Sequence, residues 1–257
     1  MELKIGTFNI RVNLEQDGLD SWKHRADKVS ALIEEHDPVV LGVQEALLPM
    51  TQDMETALPD YRWIGEGRRG GMSDEFCPIF YNHRLVECEY EGQFWLSDQP
   101  EVPGSISWDS DFPRICTWGH FRFKQAPRDE FIVYNTHLDH ISLQAREKGI
   151  ALIWEKIYSH YVSRKIPVVL MGDFNSIPRD RAIRFIRGKL LVQDAFSSLE
   201  ALPGKTFHQF KGGTEGDPID YIFCTTDVKV KETEIDRRQI KGRYPSDHYP
   251  VFTTLEG

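Results

Sequence analysis

Eight short runs of strand-forming residues punctuate this chain, and chemically versatile polar residues gather at their ends. The sharpest case is Ile166-Pro167-Val168-Val169-Leu170-Met171, which breaks at once into Gly172-Asp173-Phe174-Asn175-Ser176-Ile177-Pro178. A run centred on Val168, Val169 and Leu170 reads as a strand buried on both faces, so the polar residues just past its end belong to a sheet rim. Rims of rigid sheets are where binding and catalytic groups are placed. The other runs cover 3–10, 39–46, 77–82, 115–123, 130–138, 218–224 and 250–255.

Helical patterns separate some of these runs. In the segment 21–38, Trp22, Ala26, Val29, Leu32 and Ile33 fall near helical spacing, with Ser21 placed to cap the start and Pro38 to mark the exit. Leu143, Ile150, Ile153, Ile157 and Tyr161 form one face of a second helix, and a third, short one covers 178–188. Strands outnumber helices, and the two longest helices each connect strands. This pattern predicts an α/β sandwich of two sheets with helices outside rather than one doubly wound sheet. Segments 66–75 and 96–114 read as loops between strands, and no Gly-, Pro- or Ser-rich linker divides the chain, so a single domain over 1–257 is expected.

With 40% apolar and 28% charged residues the chain has enough core to fold, and a net charge of -9 means no global positive field draws it to nucleic acid. Cys77, Cys88, Cys116 and Cys224 are scattered without a CxxC pair, which points to reduced buried thiols rather than a zinc site or a disulfide framework. No apolar run approaches about 18 residues, and the first ten residues read as a strand rather than a signal peptide. A cytoplasmic monomer with no transmembrane segment and no obligate protein partner is the expectation.

Polar groups recur at strand ends in six places: Asn9 in TFNIR, Glu45 in GVQEA, Asn135, His137 and Asp139 in YNTHLDH, Asp173 and Asn175 in GDFN, Asp220 in PIDYIF, and Asp247 with His248 in YPSDHYP. Each alone is an ordinary exposed pair or turn. Together, in this order, they resemble the endonuclease/exonuclease/phosphatase superfamily, the DNase I-like phosphoesterases, over nearly the whole chain from Asn9 to His248.

The resemblance implies a four-layered α/β/β/α sandwich of two mostly antiparallel sheets packed face to face, with the active site at one rim. It implies Glu45 as the main carboxylate ligand of Mg²⁺, with Mn²⁺ as a substitute, Asn9 close to the metal or its waters, and Asp247 as a further acidic ligand. Oxygen donors suit such hard cations. Asp173 is then expected to take a proton from the attacking water or steady it, and Asn175 to donate to a phosphate oxygen. His248 resembles the family's catalytic histidine, either the base in place of Asp173 or a cationic clamp on the phosphate, with Asp220 as its carboxylate partner, and His137 is expected to contact the phosphate from the other side.

Features of this chain extend the list of candidates. Arg114 has a planar fork suited to phosphate, or a salt bridge to Asp109 or Asp111; Glu75 and Asn135 are further substrate-binding candidates. Trp108, with Trp95 and Trp118, suits either an aromatic wall or the core. Asp139 and Arg146 are expected to brace the site. The leading expectation is a Mg²⁺-dependent phosphodiesterase of nuclease type. The alternatives are a phosphatase or phosphodiesterase on a small or lipid phosphoester (a sugar phosphate, an inositol phosphate or a sphingomyelin-like headgroup) and a scaffold without chemistry.

Overall fold

The structure, a computed structural model, describes residues 2–199 and 201–257. The chain runs β1 (Glu2–Asn9), α1 (Ala26–His36), β2 (Val40–Gln44), α2 (Leu48–Ala57), β3 (Tyr61–Ile64) and β4 (Ile79–Asn82). It continues through β5 (Val86–Trp95), β6 (Ile115–Phe123), β7 (Glu130–His137), α3 (Leu143–Arg164), β8 (Val168–Asp173) and α4 (Arg181–Arg187). The last strands are β9 (Val192–Asp194), β10 (Asp220–Thr225), β11 (Lys229–Ile235) and β12 (Val251–Glu256). They form two six-stranded sheets, ordered β11-β12-β1-β2-β4-β3 and β5-β6-β7-β8-β10-β9.

Each sheet is antiparallel except for one central parallel pair, β1 with β2 and β7 with β8. Parallel neighbours need a long crossover, and α1 and α3 supply the two. All four central strands therefore end at the same kind of rim. Antiparallel β10 begins there, Asp220 pairing with Asp173, and β12 follows Asp247 and His248 into the sheet beside β1.

Strand alternation explains why that rim is polar. On β1, Leu3 and Ile5 belong to the core between the sheets, whereas Phe8 packs outward against Val29, Leu32 and Ile33 of α1. Continuing the inward face by twos gives Thr7 and then Asn9, and on β8 it gives Val169, Met171 and Asp173. The inner faces thus pass from apolar to polar toward one end. Phe174 points the other way and packs edge-on to Tyr221 and Phe223, as its alternation predicts.

Two glycines allow the close approaches this arrangement needs. A methyl group at Gly42 on β2 would lie 2.7 Å from Asn135 Oδ1 of the facing sheet. One at Gly172, where φ is 149°, would lie 2.0 Å from Thr136 O of β7.

Several local expectations are corrected. Ser21 does not cap a helix: its hydroxyl donates to Gly18 O, short 3₁₀ turns follow, and α1 begins only at Ala26. Helix α2 and strands β3, β5, β9 and β11 were not anticipated. The cysteines are free, with Cys77, Cys116 and Cys224 buried. No helix among the described residues is long and apolar enough to cross a membrane.

Candidate active site

The strand ends meet in a cleft of about 350 Å³ lined by Glu45, His137, Asp173, Asn175, Asp247 and His248 from the expected set. Left-handed residues follow three of the strands: Arg11 (φ 59°), Glu45 (φ 61°) and Asn175 (φ 45°). This conformation is costly for residues with a side chain and persists where surrounding bonds hold it. For Glu45 those bonds are Asn9 Nδ2 to Oε1 (2.9 Å) and Val12 N to Oε2 (2.8 Å).

Asn9 lies between two carboxylates. Its second amide hydrogen goes to Asp173 Oδ2 at 2.9 Å, and its oxygen accepts from Arg11 N at 3.0 Å. With both donors engaged and no exposed surface, the residue expected at the metal is placed as a clamp that ties β1 to β8 across the sheets.

Asp173 is buried, which raises its carboxyl, and the nearby Asp220 charge raises it further, to about 7. Asn175 N donates to its Oδ1 at 2.9 Å in a tight turn that folds the Asn175 side chain back toward β7. There Nδ2 donates both to Leu138 O (3.0 Å) and to His137 Nε2 (3.0 Å). Leu138 O can only accept, so it fixes the orientation of the amide, and His137 Nε2 is the acceptor. Burial holds the His137 imidazole well below its usual range, followed by the charges of Arg114 and His248, so it stays neutral. In this arrangement the Asn175 amide is hydrogen-bonded to the His137 ring while the residue still lines the cleft.

His248 Nδ1 bonds Asp220 Oδ2 at 2.9 Å, and its Nε2 lies 3.9 Å from Asp173 Oδ2. Burial alone would lower this imidazole, but the Asp220 charge and hydrogen bond outweigh it and carry it up to about 10. His137 and His248 therefore differ in charge, the first neutral and the second cationic.

Among the described residues, two groups have the geometry to gather around a cation: Glu45, His137 and Asp173, and Asp173, Asp220 and His248. In the second, Asp220 Oδ2 and His248 Nδ1 already bond each other. The first places two carboxylates in the cleft with Asp247 close by, and burial and then the Glu45 charge both raise the Asp247 carboxyl against the pull of His248. Crowded like charges made of hard oxygen donors fit a divalent cation such as Mg²⁺ or Mn²⁺.

Other expected residues lie elsewhere. Asn135 is wholly buried beneath the cleft, where Nδ2 donates to Val43 O and Pro78 O and Oδ1 accepts from Gln44 Nε2, so it joins the two sheets and has no atom left for substrate. Trp108 is not among the cleft residues: Lys148 sits over its ring and its Nε1 donates to Asp98. Trp95 is buried and donates to Arg68 O, and Trp118 packs with Tyr134 and His160, so there is no aromatic wall. Glu75 and Arg114 do line the cleft. Arg114 lies nearest Asp139 (3.5 Å), not Asp109 or Asp111, because Asp139 turns back from the end of β7 to accept Ser110 Oγ, Ile141 N and Ser142 N. Arg146 donates to Asp139 O and braces the same turn.

Arg11, Arg68, Phe112, His140, Phe207 and Ile219 also line the cleft and were not singled out as site residues. The pair Arg68-Arg69 was visible only as a basic dipeptide, and nothing local distinguishes the buried Arg68 from the exposed Arg69. Arg25, also unforeseen, is buried and donates to the carbonyls of Ile10, Arg11, Asp20 and Pro245, pinning the turns that carry Arg11 and Asp247.

The Endonuclease/Exonuclease/phosphatase family model matches residues 6–248. The chain is 30% identical over 237 residues to the uncharacterized protein L388 of Acanthamoeba polyphaga mimivirus, covering 89% of this chain and 77% of that one. Among solved structures, a family protein from Bacteroides thetaiotaomicron superposes with a TM-score of 0.94 at 33% identity, covering 99% of this chain and 95% of that one. A mannosyl-6-phosphatase of the same species superposes with a TM-score of 0.93 at 33% identity, covering 99% of this chain and 100% of that one. With the two-sheet sandwich and the acid–histidine cleft at its rim, these matches identify the chain as a member of the endonuclease/exonuclease/phosphatase family of phosphoester hydrolases.

Proposed function

We propose that this protein is a divalent-cation-dependent phosphatase acting on a small phosphorylated sugar. The observation that carries the reading is a cleft both small and internally neutralised. Its volume of about 350 Å³ is near the lower end of ligand pockets. Each arginine in it faces a carboxylate: Arg11 with Asp17, Arg68 with Asp74 and Glu75, Arg114 with Asp139. A polynucleotide is held mainly through phosphates along an open basic groove, and such a groove is not what these residues make. The 33% identity to a mannosyl-6-phosphatase across 99% of the chain adds support. The order of the two enzymatic expectations from sequence is thereby reversed.

Glu45 and Asp247 would hold the cation, with Asp173 and His137 beside them. When bound, the cation offsets phosphate charge and lowers the pKa of water. In this reading Asp173 takes the proton as the water oxygen bonds to phosphorus. His248, oriented by Asp220, faces the oxygens on which negative charge grows. As the P–O bond to the sugar breaks, the departing oxygen takes its proton from His248. Water is consumed, and the products are phosphate and the free alcohol.

The test is hydrolysis with Mg²⁺ or Mn²⁺ of hexose 6-phosphates, p-nitrophenyl phosphate, bis-p-nitrophenyl phosphate, single-stranded DNA, poly(A), inositol phosphates and sphingomyelin. An Asp173→Asn/His248→Ala double variant serves as the blank. Phosphate release from hexose monoesters above all others is expected. Preferential cleavage of a diester or a polynucleotide overturns the reading in favour of the nuclease-type enzyme.

A further inference from the structure

Loops 66–75 and 96–114 meet at one end of the cleft, and their meeting is built in. Trp95 Nε1 donates to Arg68 O at 2.7 Å, Arg68 N donates to Glu75 O at 2.8 Å, and Phe76 N donates to Ala46 O at 2.7 Å. The last bond sets Glu75 beside the strand end that carries Glu45. Arg68 and Arg114, only 7% and 6% exposed, are held there with their charges partly facing the cleft. The Arg68 guanidinium lies 4.5 Å over the Phe112 ring and pairs with Asp74 and Glu75, each at 2.9 Å. Arg114 Nη2 lies 3.0 Å from His140 Nδ1, and its buried Nε has no hydrogen-bond partner.

None of these groups has a part in the hydrolysis step, yet holding two nearly buried guanidiniums this way is costly unless they serve a ligand. Their chemistry limits which ligand. The carboxylates Asp74, Glu75 and Asp139 are matched by the guanidiniums of Arg68, Arg69 and Arg114, Arg69 also lying 2.8 Å from Asp74, so the set is balanced in charge. It offers no surplus positive charge to draw a second phosphate or a carboxylate. A wall that presents N–H donors and carboxylate acceptors side by side suits groups that both donate and accept, which are hydroxyls.

We infer that Arg68, Glu75 and Arg114 form the subsite that holds the hydroxyls of the sugar while its phosphate lies against Glu45, Asp173 and His248. The inference rests on the sugar-phosphatase reading and adds where the sugar lies. Phe112 and Asp139 are positioning residues for the two guanidiniums. Phe207, which faces the cleft beside His248 at 4.8 Å between ring centres, marks the opposite wall.

The test compares kcat/KM for mannose 6-phosphate and glucose 6-phosphate with that for p-nitrophenyl phosphate, which carries no hydroxyls, in the native protein and in Glu75→Gln, Arg114→Lys and Phe207→Ala. Removing a charged hydrogen-bond partner from a hydroxyl costs on the order of 10–100-fold. Glu75→Gln and Arg114→Lys are expected to lower the ratio of sugar-phosphate to nitrophenyl-phosphate kcat/KM by that factor, mostly through KM. Turnover of nitrophenyl phosphate reports that each variant is folded. Equal losses on both esters would assign Glu75 to the phosphate machinery and overturn the subsite, as would a ratio that moves only in Phe207→Ala. A native protein that hydrolyses nitrophenyl phosphate but shows no preference for the hexose esters would overturn the sugar-phosphatase reading itself.

Discussion

Single residues at the rim divide into those that line the cleft and those that hold the lining residues in place. Glu45→Gln removes a charge from the donor set while keeping its shape. The expected outcome is weaker Mg²⁺ activation with an unchanged fold, read by activity against metal concentration and by circular dichroism; near-normal turnover at low Mg²⁺ would remove Glu45 from the ligand set. His248→Ala is expected to lose about 10²–10⁴-fold in kcat. Asp220→Asn keeps the Nδ1 contact but removes the charge that sustains the imidazolium, so its loss is expected to be substantial and not additive with that of His248→Ala. Full additivity in the double variant would separate the two residues functionally. The acids and histidines here were legible because their residue types are rare at the ends of buried strands. Arg25, Arg68 and Phe112 were not, because their importance comes largely from partners far away in sequence, Phe112 under Arg68 and Pro245 O beside Arg25, 220 residues on, and no spacing rule reaches that far.

Elements matter through the precision with which they end. Gly172 lets β8 approach β7 so closely that any side chain collides with Thr136 O, and the next residue is Asp173. Gly172→Ala is expected to destabilise the protein by about 2–4 kcal/mol and to reduce activity further in whatever fraction folds, measured by urea denaturation alongside kcat. The strands legible in sequence were those with apolar centres, such as β7 and β8. Those missed were edges: β5 places Glu87, Glu89 and Glu91 at alternate positions, and β11 is rich in Lys and Glu, the charges that keep an edge from pairing with other chains. Helix α2 buries only Met50, Thr51 and Met54, too narrow a stripe to stand out. Ser21 failed as a cap because a preceding 3₁₀ turn already engages its hydroxyl.

At the scale of the molecule, acid stability follows from groups kept neutral inside. Burial, and then the charge of His248, lowers His208 to about 4, and the ring stacks on Tyr249 at 3.9 Å. An unfolded histidine titrates near about 6.5, so between there and about 4 the unfolded chain binds the extra proton. This contribution to stability is complete above about pH 6.5 and is lost as the pH falls toward 4. His208→Phe is expected to flatten the fall of Tm over that interval, and an unchanged slope would show that other groups set it.

Asn9 of one sheet donates to Asp173 of the other, and Gln44 donates across the same seam to Asn135. The reacting groups therefore belong to neither sheet alone. A slight parting of the sandwich, long before either sheet melts, pulls Glu45 away from Asp173 and His248 away from Asp220. Catalysis becomes a strain gauge for the seam: as urea is added, turnover is expected to fall at lower concentrations than the circular dichroism signal.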